Sequence, residues 1–243
     1  MKLGLATLGS LGILANLISP GSAFAQVRDR PWFGESARSR NTCAVKSAWN
    51  APVALESLPN SFRGKVAAVV QSPTLTAHGP SEEFAASFYD WLLDHPDRVA
   101  LAWRRLGVPC VGIVNRGDGA FGWTDGEGSD LRWQTVWRGD GGRIWYAEGQ
   151  ARPGPHLPLV PIRAVAVLRC LKRRDADGRT IVTHDVDVYL QTDSKAAALV
   201  MKLLGPAAPR LAEQGAAQLL LFFSGIARHL EAHPEETMSL LRS

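Results

Sequence analysis

The stretch Pro209-Arg210-Leu211-Ala212-Glu213-Gln214-Gly215-Ala216-Ala217-Gln218-Leu219-Leu220-Leu221-Phe222-Phe223-Ser224-Gly225-Ile226-Ala227-Arg228-His229-Leu230-Glu231-Ala232-His233 is the longest amphipathic run in the chain. Leu211, Gly215, Leu219, Phe222, Phe223, Ile226 and Leu230 fall on one stripe at helical spacing, and Arg210, Glu213, Gln218, Arg228 and Glu231 lie mostly away from it. Pro209 suits the first turn of a helix. Just before it, Gly205-Pro206 ends a shorter helix expected over Lys195 to Leu204, with Ser194 as its cap. A helix of this length must bury its stripe, and the sequence upstream decides against what.

Upstream lies a succession of short strand-like segments: Val111 to Asn115, Phe121 to Thr124, Leu131 to Trp137, Arg143 to Glu148, Ile162 to Leu171 and Arg179 to Leu190. Gly117-Asp118-Gly119, Asp125-Gly126-Glu127-Gly128, Gly139-Asp140-Gly141-Gly142 and Asp175-Ala176-Asp177-Gly178 separate them with hairpin chemistry, which predicts a meandering antiparallel sheet. The run Pro153 to Pro161 breaks the meander as a surface loop. Ahead of it, Lys65 to Gln71 reads as a strand, with Thr74 to His78 continuing beyond Pro73 as an edge segment. Ser81 then caps a helix carrying Glu82, Glu83, Phe84, Phe88, Trp91 and Leu92, and a second helix runs from Asp97 to Leu106 and ends at Gly107.

The chain has 243 residues, of which 46% are hydrophobic and 21% charged, which excludes disordered, collagen-like and coiled-coil classes. The formal charge of +4 is backed by no long Lys/Arg run, so nucleic acid is not an expected partner. Residues 1–25 pair Lys2 with an apolar run to Ile18 and close on Ala23-Phe24-Ala25, the pattern of a secretory signal peptide cut after Ala25. Residues 26–63 read as a polar, loosely ordered leader and residues 64–243 as one folded domain, secreted or periplasmic. In that oxidising setting Cys43, Cys110 and Cys170 allow three alternative single bridges, with buried free thiols as the commoner outcome for core cysteines.

Most motifs dissolve on inspection. Gly117-Asp118-Gly119-Ala120-Phe121-Gly122 matches a dinucleotide fingerprint, but no helix follows it, so it reads as a hairpin and no cofactor is expected. The acidic stretch from Asp125 to Asp130 has Val136 where a calcium loop needs its closing Glu. The six histidines lack metal-ligand spacing, and His229 and His233 read as stabilising a helix C-terminus; no metal site is expected. His184 alternates with Val182, Val186, Val188 and Leu190 on the apolar face of its strand, as a hydrogen-bonded core histidine or a ligand-contacting one. Trp133 and Trp137 share a face with Leu131 and Thr135, where they pack the sheet core or line a cavity.

The order of elements over Lys65 to Pro234, with its final segment Pro209 to Gln214 through Phe222 to Ala227, resembles the helix-grip fold of the START-like superfamily, which includes lipid-transfer proteins and polyketide cyclases. The resemblance implies an α+β domain in which a curved antiparallel β-sheet wraps a long C-terminal α-helix around an apolar cavity. It further implies a hydrophobic small molecule or lipid as ligand, with transient contact at a membrane surface. The expected lining is Trp133, Trp137, His184, Val186, Leu219, Phe222 and Ile226, with Arg163 or Arg169 meeting a polar head. Two other readings stand beside it: a cyclase- or hydrolase-like enzyme using His184 in the same cavity, and a filled core whose aromatic surface docks a partner protein.

Overall fold

The computed structural model describes residues 51–124, 128–152, 159–192, 205 and 207–242. The expected signal peptide, Cys43, most of the expected proline-rich loop, residues 125–127 of the acidic stretch and the helix expected over Lys195 to Leu204 lie outside them.

Helix α1 (Asn60–Gln71) is followed by strand β1 (Leu75–Ala85), helices α2 (Tyr89–Asp94) and α3 (Pro96–Arg105), and six more strands. These are β2 (Val114–Gly117), β3 (Ala120–Thr124), β4 (Asp130–Gly139), β5 (Gly142–Ala151), β6 (Val160–Arg174) and β7 (Thr180–Gln191). The long helix α4 (Ala207–Ala232) and a short helix α5 (Thr237–Leu241) complete the chain. The strands form one antiparallel sheet in the order β1-β7-β6-β5-β4-β3-β2, with the first strand beside the last. With α4 packed on one face, this is the α+β helix-grip arrangement expected from the sequence.

Alternation along β5, β6 and β7 divides the core between the two faces. One face carries Trp145, Ala166, Leu168, Cys170, Val182, Val186 and Val188, packed with Leu220, Phe222, Phe223 and Ile226 of α4. The other carries Ile144, Tyr146, Val165, Val167 and Tyr189, packed with Leu58, Val66 and Val69. The first is called the grip face below and the second the outer face.

Three sequence expectations need correction. The segment Lys65 to Gln71 is the end of α1, not a strand. Its β-branched residues suggested strand, but Phe62, Val66, Val69 and Val70 recur at helical spacing, and Val66 and Val69 are the residues that α1 buries on the outer face. The helix expected from Ser81 is strand instead: β1 runs through Pro80 and Ser81 to Ala85. Pro80 is tolerated because β1 is an edge strand, and the register slips between Gly79 and Glu82, a bulge that takes up an extra residue. The residues expected in the loosely ordered leader are folded from residue 51 onward, and Leu58 is fully buried on the outer face. Cys110 and Cys170 are free thiols, the commoner outcome expected for core cysteines, and each has its pKa pushed up to about 12 chiefly by burial.

The hairpin reading of the glycine-rich motif holds. Asp118 and Gly119 form a two-residue turn between β2 and β3 with φ of 49° and 73°, the positive pair that matches strand twist. At the β4–β5 hairpin, buried Arg143 ties α2 to the sheet: Nε and Nη2 donate to the two carboxylate oxygens of Asp94 at 2.9 and 3.2 Å, and Nη1 donates to the carbonyls of Gly139 and Gly142.

Candidate functional site

The space between α4 and the sheet is not filled everywhere. On the grip face, Ala147 of β5 sits directly across from Ala164 of β6, and Ala166 lies two residues further along. Three methyl groups in adjacent positions leave a hollow that the outer face of the same strands does not have, because Tyr146, Val165 and Val167 point the other way. Aromatic rings frame the hollow. Trp145 stacks on Phe223 with centroids 5.8 Å apart and planes 7° apart, and Phe222 meets Phe223 edge-on at 4.9 Å. Trp133 stands on the β4 side, backed by Phe121 at 5.7 Å. Leu131, Leu219, Pro96 and Ile113 complete the wall.

The result is a cavity of about 60 Å³ whose walls carry no charged side chain. A water-sized group takes on the order of 10–15 Å³ on the same scale, so the space admits one ring or a short aliphatic segment. Its chemistry is that of apolar burial, worth about 25 cal/mol per Å² of area removed from water.

Of the residues expected to line a cavity, Trp133, Leu219 and Phe222 do so. Trp137 does not: β4 pairs Thr135 with Trp145 but Trp137 with Ile144, so Val136 is an extra residue that reverses the alternation. Trp137 therefore packs with the outer-face cluster, on the opposite side of the sheet from Trp133. Val186 and Ile226 lie in the grip-face core away from the cavity wall, as does His184. Arg163 and Arg169, considered for a polar head, are not among the wall residues, and Arg169 is engaged by Asp185 and Asp187 of β7. The sequence reading missed Trp145, Phe223 and the three alanines. The alanines carried a usable signal: in Ala164-Val165-Ala166-Val167 small residues recur on one face and branched ones on the other.

His184 belongs to a separate buried polar chain at the β1 end of the sheet. The β1 bulge brings Glu82 opposite His184 on the grip face. Tyr89 Oη hydrogen-bonds to His184 Nδ1, and the rings of Phe84 and Tyr89 meet the imidazole edge-on at 4.9 and 5.4 Å. Burial raises the Tyr89 phenol well above its ordinary range, so Tyr89 keeps its proton and donates it to Nδ1, leaving the imidazole proton on Nε2. Nε2 is 3.8 Å from Glu82 Oε2, too long for a hydrogen bond, so the carboxylate acts on the ring through its charge. Burial lowers the affinity of His184 for a second proton, and Glu82 only partly opposes this. Glu82 itself is kept below the ordinary carboxylate range: burial opposes its charge, but His184, Arg228 at 3.0 Å and Ser224 at 3.4 Å outweigh it. The arrangement is a buried core histidine hydrogen-bonded through Nδ1 alone, its Nε2 left facing the Glu82 carboxylate without a hydrogen bond, and it is not part of the cavity wall.

No family model matches the chain, and no curated protein matches it in sequence. Several solved structures are similar to the chain at low identity. A conserved protein from Geobacillus kaustophilus is 14% identical, covering 65% of this chain and 96% of its own, with a TM-score of 0.40. A protein from Thermobifida fusca is 19% identical over 58% of this chain and 90% of its own, with a TM-score of 0.29. Ara h 8.0201 is 12% identical over 59% of this chain and 99% of its own, also with a TM-score of 0.29.

Proposed function

We propose that this chain is an exported, START-like binding or transfer protein for a hydrophobic small molecule or lipid, held between the sheet and α4. The observation that carries the reading is the alanine-floored, ring-framed hollow on the grip face. A protein selected only for stability would fill such a space, because each unfilled methyl-sized void costs on the order of 1 kcal/mol. The absence of charged groups from the wall means that the buried part of the ligand is uncharged and apolar. Export and cleavage after Ala25 are supported by the signal-peptide pattern of residues 1–25. A membrane surface is the source or destination such a ligand would require.

The hollow also favours binding over a filled interaction module. It weighs against the use of His184 as a cavity acid or base, since that ring is engaged by Tyr89 and Glu82 elsewhere in the core. Native mass spectrometry of the protein from an exporting host, with titration of a fluorescent fatty acid, tests the reading. The expected result is a co-purifying apolar molecule or saturable uptake of the probe by a chain starting at Gln26. Ligand-free protein that takes up no probe would sink the binding reading, and a retained residue 1–25 segment would sink the cleavage site.

A further inference from the structure

We propose that the corner where α4 meets α5 is a binding site for a divalent transition-metal ion of the zinc class, held by His233, Glu235 and Glu236. Among the described residues this is where histidine and carboxylate ligand atoms converge: one atom from each of the three lies within 4.8 Å of the others. Backbone geometry makes the convergence. Alpha-helix α4 ends at Ala232, and Pro234 opens a single 3-10 turn, Pro234–Glu236, that folds the chain back on the helix end. Glu236 thereby returns to the level of His229, seven residues earlier, and its Oε2 lies 2.9 Å from His229 Nε2. His233 Nδ1 is 3.6 Å from Glu235 Oε1, and the two imidazoles stand 4.8 Å apart, tilted by 39°.

The donor set selects the ion. Imidazole with carboxylate suits zinc and its neighbours among the later first-row metals, whereas calcium and magnesium favour all-oxygen shells. Zinc takes both nitrogen and oxygen at roughly 2.0–2.2 Å, so the three ligands must close by about an ångström on an ion. They are free to do so, since His233, Glu235 and Glu236 are 47%, 71% and 43% exposed. His229 differs in being only 8% exposed, and its Nε2 contact with Glu236 makes it the group that orients a ligating carboxylate. Solvent supplies the remaining position.

The corner is anchored on its far side. Leu240 of α5 is buried, and Arg105 at the end of α3 donates to the carbonyls of Ser239, Leu240 and Arg242. An ion at His233 would therefore clamp the end of the grip helix to the turn that leads into α5, and would stabilise the folded state by mass action.

The test is calorimetric titration of the full mature chain, stripped with chelator, with zinc chloride, alongside melting curves with and without zinc. Binding of one ion per chain and a rise in Tm are expected. His233→Ala should weaken binding at least about tenfold and abolish the Tm rise, with Glu236→Gln intermediate. His78→Ala, at an exposed histidine paired with Asp187 on the sheet edge, should leave both unchanged. The proposal is overturned by the absence of heat and Tm shift in excess zinc, or by binding that persists in both His233→Ala and Glu236→Gln. Neither result bears on the cavity, whose occupancy is read separately by the fatty-acid probe.

Discussion

The two faces of the sheet are built from the same strands and packed by different rules. On the outer face, Ile144, Tyr146, Val165, Val167 and Tyr189 meet α1 in a filled cluster. On the grip face, the intervening positions hold Ala147, Ala164 and Ala166, and α4 spans them without filling them. One strand segment thus presents its volume on one side and its deficit on the other. The outer face serves stability. The grip face uses the rigidity so gained to keep a hollow open, with aromatic rings as props because a ring holds its shape with few rotatable bonds.

The comparison breaks most severely where α4 is seated. Trp103 of α3 is fully buried, its Nε1 donates to the Phe222 carbonyl at 2.9 Å, and it lies against Gly225 so closely that a Cβ there would fall 2.6 Å from the indole. Trp103→Ala should cost about 3–5 kcal/mol, and a bulky residue at Gly225 should force α4 away from α3. Denaturant unfolding reads the first, and loss of probe uptake together with stability reads the second. On the outer face, Leu58→Ala and Ile144→Ala each remove a fully buried side chain and should cost about 2–5 kcal/mol while leaving probe affinity unchanged. Loss of probe affinity in step with outer-face stability would mean that the two faces are not separable.

The converse change sharpens the contrast. Ala166→Leu adds volume into the hollow rather than removing it from a filled core. Its effect on stability should stay within about 1.5 kcal/mol, yet uptake of an apolar probe should be lost. The equivalent outer-face enlargement, Val165→Phe, meets a site with 0% exposure and should destabilise by about 1–3 kcal/mol. If Ala166→Leu destabilises as much as Val165→Phe, the hollow on the grip face is not available space.

The long helix, its stripe and the hairpin meander were readable because each rests on a local rule: helical spacing in Leu219 to Leu230, and glycine turns at Asp118-Gly119 and Gly139 to Gly142. What escaped the sequence depends on partners distant in the chain. The bulge at Val136 is set by pairing with β5, and it alone decides that Trp133 and Trp137 part company. The bulge in β1 is set by β7, and it turns an expected helix start into the strand that supplies Glu82. For α1, local β-branching pointed to strand, while burial of Val66 and Val69 against the outer face selected helix. At the α4 corner, spacing among the histidines alone shows no ligand set, because the carboxylate that reaches His229 is brought back to the helix only by the turn after Pro234.

The smallest expected effect concerns the buried chain around His184, where the grip face departs from pure apolar packing. His184 faces Tyr89 from α2 and Glu82 from β1, with Cys170 beside it on β6 and Asp185 next to it on its own strand; Arg228 and Ser224 of α4 donate to Glu82 behind it. Burial holds the imidazole neutral, with a folded-state pKa below its ordinary 6.5. The unfolded chain then binds more protons as pH falls below about 6.5, so stability should decline with falling pH through that window and level off below the folded value. Glu82, depressed from 4.5, adds a second loss in the same direction at lower pH. A neutral His184→Gln variant should remove the first slope and keep the second, and melting temperatures recorded across the range read both. The opposite sign, with stability rising as His184 titrates, would mean that the imidazole is cationic in the fold and that Glu82, not burial, governs it.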